Sequence, residues 1–360
     1  MTPIEQRISS LVRRTLTPGS TRYPSVSVTK DKIQVEMFVT DVVIDTSRMK
    51  TVQRIAEQLA QVELQPPTTV VVEGTSFLVF EKLQQKIVTP IVVGNGYQNM
   101  LAVNEIPLMN HVSFSLSAGA NIAITGRPGS GKSYFLNWVI FSALRLGGEI
   151  FAIDGKGAEV AHMSSFLGAD HVLSALNVDD GNEYIDFVAR VVDLMERRQK
   201  FVFDKQKTAV ENWQHVGLKP VFLVLEEIGS ILIDSTEKKE RQQLMSQLGQ
   251  IARKGRSAGV FLITVSQIMS TEVLPSSVRS QLNLRVLVGN STADDVAYLF
   301  GHGVDMTKFD FGQGAGIYLA DGLNAVAEQF FAPRYDAKYL FVLMDYYSTH
   351  NRRMGYYSRV

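Results

Sequence analysis

Between Ile124 and Phe135 the chain reads ITGRPGSGKSYF, with Gly126 and Gly131 spaced by four residues and followed directly by Lys132 and Ser133. Glycines at this spacing let backbone N–H groups fold around phosphate oxygens at a helix N-terminus. The lysine reaches the β- and γ-phosphates, and the serine hydroxyl ligates Mg²⁺. The expected nucleotide contacts are therefore Gly126, Arg127, Pro128, Gly129, Ser130, Gly131, Lys132, Ser133 and Tyr134. ATP is expected rather than GTP, because no guanine-reading NKxD follows.

A second stretch, VFLVLEEIGSIL from Val221 to Leu232, is an apolar run that ends on two adjacent acids. Phosphoryl transfer to water calls for one carboxylate that holds Mg²⁺ and another that orients or deprotonates the attacking water. Neighbouring side chains on a strand point to opposite faces, so the two acids cannot share a role. Glu226 is assigned to the metal, with Ser133, and Glu227 to the water. Gln267 ends another apolar run, VFLITVSQ, where its amide can donate to a γ-phosphate or place the water.

These residues need rigid elements to carry them. NIAITG, EIFAID, VFLVLEE, VFLITVSQ, LRVLVG and AGIYLA are short, nearly continuous apolar runs separated by helix-like segments. That pattern predicts an α/β fold with a mostly parallel sheet covered on both faces. Ahead of it, SVSVTKDKIQVEMFV reads as two strands around a Lys-Asp-Lys turn, MKTVQRIAEQLAQVEL as a helix, and TTVVVEGTSFLVFEKL as a hairpin turning at Glu73-Gly74. The predicted division is a small α/β domain over 1–90, a nucleotide-binding domain over 91–334 and a C-terminal tail over 335–360. Residues 93–119 read as a connection.

Composition limits the alternatives. Lys plus Arg and Asp plus Glu both number 36, so any surface for a polyanion must be local. The chain has no cysteine, which removes disulfides, thiolate nucleophiles and Cys-ligated zinc. Its six histidines show no HxxxH or HExxH spacing. No apolar run approaches the ~20 residues of a membrane span, so no direct membrane insertion is expected. A cytoplasmic location, with recruitment to a membrane complex at most, is the expectation.

Taken in order, these segments resemble the FtsK/SpoIIIE family of RecA-like translocases, which includes coupling ATPases of conjugative elements. FAIDGKGAEV resembles the family's strand followed by Asp-Pro-Lys and a Glu, with Asp154, Lys156 and Glu159 in the matching places. Met195–Arg198 resembles its Met-Glu-Arg-Arg helix end, and LGQIARKGRSAGVFLITVSQ its Ala/Arg-rich helix, strand and Ser-Gln pair. LNLRVLVGNSTADDVAYLFG resembles a later strand opening with Arg and the Ser/Thr-Asp helix after it.

The resemblance implies a homohexamer with Mg-ATP between subunits, DNA as substrate, and Arg256 acting in the neighbour's site. Arg253, one turn earlier, could take that role instead, and Arg285 could add a further contact. DNA phosphates are expected at Lys238, Lys239 and Arg241, or at Arg279; a solvated helix face is the competing reading for the lysines. The basic face ERRQKFVFDKQK is expected to pair with acids on neighbouring helices.

The sequence departs from the family where Glu226 replaces an Asp and Gly155 replaces the Pro. No membrane-spanning domain is expected ahead of the motor, and no winged-helix module after it. These departures favour plasmid, conjugative-element or phage DNA, with a relaxase, replication initiator or other DNA-bound factor as recruiter. The alternatives are an ATPase powering protein secretion and a nucleotide-dependent assembly module.

Overall fold

The computed structural model describes residues 2–16, 24–29, 32–37, 51–53, 56, 68–72, 75–81, 89–93, 104–157, 160–208, 211–233, 237–267, 270–271 and 273–357. The chain divides into two compact units, Met1–Ile87 and Val88–Val360. Each is described on its own.

In the first unit, helix α1 (Pro3–Leu16) accompanies strands β1 (Val26–Val28), β2 (Lys32–Met37), β3 (Thr68–Val72) and β4 (Thr75–Glu81). The strands form an antiparallel sheet in the order β1-β2-β4-β3. Val35, Ile33, Val26 and Phe80 share a core with Ile8 and Val12 of α1. The pairs expected around Lys30–Lys32 and Glu73-Gly74 are present, as β1–β2 and β3–β4. Lys30, Asp31, Glu73 and Gly74, and most of the expected helix after Met49, lie outside the described residues.

The second unit is built on an eight-stranded sheet ordered β14-β13-β12-β7-β11-β10-β8-β9. Its strands are β7 (Ile122–Thr125), β8 (Glu149–Asp154), β9 (Val172–Ser174), β10 (Val221–Glu226), β11 (Val260–Ser266), β12 (Leu284–Val288), β13 (Ala315–Ala320) and β14 (Glu328–Phe331). From β12 to β9 neighbouring strands are parallel, and β13 and β14 close one side antiparallel.

Alternation along β10 explains why its sequence is apolar throughout. Phe222 and Val224 enter one core, with helices α2 (Lys132–Arg145) and α9 (Ala337–Arg353). Val221, Leu223 and Leu225 enter the other, with α4 (Gly181–Lys205) and α6 (Lys238–Ala258). Both faces are covered, so no position on the strand can be polar until the edge is reached. Leu223→Ala, which empties a fully buried site, costs about 2–5 kcal/mol on the scale of core truncations. The remaining helices are short: α3 (Ser164–Leu167), α5 (Ile228–Ile233), α7 (Ser276–Arg279) and α8 (Ala293–Phe300).

Three expectations change. Within 93–119, Glu105–Met109 (β5) and Val112–Ser115 (β6) form an antiparallel hairpin, because Ile106, Leu108 and Phe114 have a core to enter. The segment after 335 is part of this unit: Asn351 of α9 donates to the Leu144 carbonyl at 2.7 Å, and Leu340 and Met344 are fully buried. The ERRQKFVFDKQK face pairs differently from expectation. Arg197 pairs within its own helix, with Asp193 at 3.0 Å. Arg198 is 4% exposed and donates to the carbonyls of Ala258 and Lys219 at 2.8 and 2.5 Å.

Candidate active site

The parallel strands bring four carboxyl-terminal ends to one edge. Register places Ile124 beside Val265 and Val265 beside Glu226, while Thr125 lies level with Ser266 and Asp154 with Glu226. Gly126 therefore leaves the sheet two strand spacings, about 10 Å, from the point where Glu226 and Glu227 leave it. Ligands of open α/β sheets bind at this kind of edge.

The cradle is defined by what cannot fit in it. A Cβ at Gly126 would lie 2.3 Å from the Val288 carbonyl oxygen and 2.7 Å from Ser130 Oγ. Gly131 caps α2 with φ of 105° and no side-chain hydrogen bond, so the first N–H groups of a 14-residue helix face outward for an anion. Ser130 Oγ and Thr125 Oγ1 are buried and lack a hydrogen-bond partner among the described residues. The Gly314 N–H donates to the Ser130 carbonyl at 2.9 Å, and the Ala332 N–H to the Gly314 carbonyl at 2.7 Å. These bonds stitch the cradle to the β13–β14 hairpin.

Glu226 and Glu227 do take different environments. Glu226 completes β10 and is 8% exposed. Glu227 turns out of the strand with φ of 52°, a left-handed conformation costing a non-glycine residue about 1–3 kcal/mol, and its carbonyl accepts from the Ser230 N–H at the start of α5. Its carboxylate receives Lys156 Nζ at 3.0 Å and Gln267 Nε2 at 3.1 Å on Oε2, with Ser266 Oγ at 3.4 Å on Oε1. Among the described residues no cluster of three or more His, Cys, Asp or Glu could hold a metal by itself. The hydroxyl of Ser133 with one acid, Glu226, beside a phosphate cradle suits Mg²⁺ that keeps most of its waters.

Beside Gly131 opens a cavity of about 320 Å³, lined in part by Tyr134, Gln313, Gly314, Arg334 and Tyr335. The Tyr134 and Tyr335 rings stack at 5.0 Å, and the Tyr335 hydroxyl donates to the Tyr134 carbonyl at 2.6 Å. Tyr335 had no signal in the sequence, standing 201 positions from its partner.

The basic residues separate. Arg256 and Arg253 are exposed near the end of α6, before the start of β11, so the seven residues of β11, about 20 Å, lie between Arg256 and the cradle edge. Lys238 and Lys239 are exposed at the other end of α6, and Arg241 is half-buried. Arg279 packs against α8: its guanidinium lies 4.7 Å from the Tyr298 ring centroid and donates to the Tyr298 carbonyl. Arg285 likewise bonds the Leu299 and Leu282 carbonyls at 3.3 and 3.2 Å, and burial lowers its pKa. Glu159 lies outside the described residues.

A parallel sheet with this cradle at its carboxyl edge, paired acids two strands away and a glutamine between them defines a P-loop ATPase. Residues 96–252 match the model of the FtsK/SpoIIIE family. The chain is similar to the Ftsk domain-containing protein YdcQ of Bacillus subtilis (strain 168), 29% identical over 231 residues that cover 63% of this chain and 46% of that protein. It is also similar to the DNA translocase FtsK of Sporosarcina ureae, 24% identical over 222 residues, 57% of this chain and 27% of that one. The matched regions thus span less than half the length of both curated relatives. Among solved structures, the pCW3 conjugation coupling protein TcpA, in its monomer form with ATPγS, shares the fold with a TM-score of 0.60 at 15% identity, covering 98% of this chain and 99% of that one. No described helix is long and apolar enough to cross a membrane.

Proposed function

We propose that the chain hydrolyses Mg-ATP to move DNA through a homohexameric ring, in plasmid, conjugative-element or phage DNA transfer. The observation that carries this reading is the position of Glu227: it stands, with Gln267 and Ser266 bonded to it, on the same sheet edge as the Gly126–Ser133 cradle. The backbone N–H groups and Lys132 bind the phosphates. Ser133 and Glu226 would hold Mg²⁺, which supplies charge neutralisation on the phosphate oxygens when bound. Glu227 takes a proton from water as its oxygen bonds to the γ-phosphorus and the bond to the ADP oxygen breaks, giving ADP and inorganic phosphate. Gln267 orients the carboxylate and water. The base stacks in the Tyr134–Tyr335 cavity.

Two further features support the assembly. Arg256 stands at the far edge of the sheet from its own cradle, so a phosphate it meets belongs to another molecule; a neighbouring subunit's ATP fits a guanidinium. Lys238 and Lys239 project from the end of α6 at the acids' side of the sheet, where they suit sequence-independent phosphate contact. The relative named as a DNA translocase supports DNA as the moved polymer, and a separate DNA-bound protein would recruit the ring.

The test is steady-state hydrolysis without nucleic acid and with single-stranded or duplex DNA, alongside native mass. Stimulation by DNA, salt-sensitive binding and a six-subunit species are expected. A rate indifferent to DNA, with no salt-dependent binding, sinks the translocase reading and leaves secretion or assembly. Mixing Arg256→Ala with Lys132→Ala subunits should restore some hydrolysis at mixed interfaces; no recovery argues against Arg256 acting between subunits.

A further inference from the structure

The hydrolysis scheme gives Lys156 no task, yet its ammonium pairs with Glu227 Oε2 at 3.0 Å. Its backbone is pinned by Asp154, which is fully buried and accepts from the N–H groups of Lys156 and Gly157 on Oδ1, at 3.0 and 2.8 Å, and from Ala161 on Oδ2, at 2.9 Å. The Gly155 N–H donates to the Glu226 carbonyl at 2.9 Å. Proline, which FtsK-like sequences carry here, has no N–H to give. A Cβ at 155 would also lie 2.8 Å from the Glu227 carbonyl oxygen and 2.9 Å from Ile231 Cγ1. Glycine therefore lets the turn after β8 close onto the acidic end of β10, and Lys156 Nζ meets Glu227 Oε2.

That contact opposes the work of a base. An ammonium on a carboxylate occupies lone-pair positions that a water would need. Oε2 already takes Gln267, so little of that oxygen is left to orient a nucleophile. The two side chains differ in reach: Lys156 is 46% exposed and Glu227 12%. The lysine can leave toward solvent while the carboxylate stays, and an exposed ion pair is held weakly enough for an incoming phosphate anion to compete.

We propose that Lys156 is a clamp on Glu227 that a phosphate group releases, so that the base becomes free only when a phosphate takes the ammonium. The phosphate comes either from the γ-position of the bound nucleotide or from a nucleic-acid backbone. Lys156 acts as a positioning residue, and the proposal rests on Glu227 being the water-activating group.

Lys156→Met in the full chain keeps the stem and removes the charge, and Lys156→Arg keeps the charge. If backbone phosphate is the releaser, Lys156→Met without nucleic acid should raise the maximal hydrolysis rate roughly 3-fold, the range expected when an exposed ion pair is broken. If the γ-phosphate is, the clamp is already open at saturating ATP and the maximal rate stays near wild type; Lys156→Arg stays near wild type in both cases. A rate for Lys156→Met well below wild type overturns the clamp. Duplex DNA assigns the source: if backbone phosphate is the releaser, DNA stimulates the wild type and adds little to Lys156→Met; if the γ-phosphate is, the DNA ratio is the same in both.

A second measurement judges the clamp without turnover. Acylation of Lys156 by an amine-reactive reagent, followed by mass spectrometry, should be slower in the wild type than in Glu227→Gln. Equal labelling overturns it. A chain that hydrolyses no ATP, yet shows this protection, fails the ATPase reading and not the clamp.

Discussion

Gln267 donates its side-chain amide to Glu227 Oε2 at 3.1 Å, tying the end of β11 to the end of β10 beside the strand that leads into the phosphate cradle. Ser266 Oγ adds a bond on Oε1 at 3.4 Å, so the carboxylate proposed as the base is held on both of its oxygens from the end of β11.

Glu227→Gln keeps the shape and removes the capacity to take a proton. Its kcat should fall by about 10²–10⁴, the usual contribution of a general base, with nucleotide affinity changed only a few-fold. Steady-state kinetics beside binding of a fluorescent ATP analogue separates the two quantities. A kcat equal to wild type would remove Glu227 from the chemistry.

Tyr335→Ala removes half of the aromatic pair that walls the cavity beside Gly131. Stacking of a base on an aromatic ring is worth roughly 1–3 kcal/mol, so KM for ATP should rise about 5-fold or more while kcat holds. Tyr335→Phe retains the ring and should lie near wild type. Loss confined to kcat would place the base elsewhere.

Arg198 tests the frame instead of the chemistry. Burial lowers its pKa to about 10, opposed by the charge of Glu149, and the guanidinium joins the end of α6 to the residue pair leading into β10. Arg198→Met leaves two carbonyls without their donor, which should cost about 2–4 kcal/mol in urea unfolding. A change under about 0.5 kcal/mol, the scale of an ordinary surface substitution, would refute this role.

His171 lies between Glu149 at 2.9 Å and Asp170 at 3.0 Å, stacked on Phe151, at the edge of the sheet opposite the cradle. Burial lowers its pKa, but the hydrogen bonds to the two carboxylates outweigh burial and the net shift is upward from 6.5. A raised folded value means that its contribution to stability is fully present below pH 6.5 and is lost as pH rises through the folded pKa. Asp170, whose pKa is lowered from 3.8 chiefly by the same hydrogen bond, loses its share only as pH falls through its own depressed value. The wild type should lose Tm from slightly acid to mildly alkaline pH relative to His171→Gln. Parallel Tm profiles for the two proteins would contradict the assignment.

Much of the site was legible because its signals are local. Gly126, Gly131, Lys132 and Ser133 sit within eight positions, and Glu226 and Glu227 follow an unbroken apolar run. The six strands read from apolar runs are β7, β8, β10, β11, β12 and β13. What escaped depended on partners distant in the chain. The three-residue β9 and the half-exposed β14 carry too little pattern to stand out. Arg279 and Arg285 look like free cations in a sequence, and only the approach of α8 reveals that they hold its carbonyls. Lys156 was placed by its resemblance to a motif, but its contact with Glu227 arises 71 residues away.

The backbone bonds from Gly314 to Ser130 and from Ala332 to Gly314 have a kinetic meaning. A glycine-rich loop left to itself would have to be ordered by each arriving nucleotide, and part of every encounter would be wasted on loops in the wrong shape. Here the ordering entropy is lost once, when the chain folds. Nucleotide capture should then proceed in a single phase whose rate grows in proportion to concentration, with no slow rearrangement of the loop behind it.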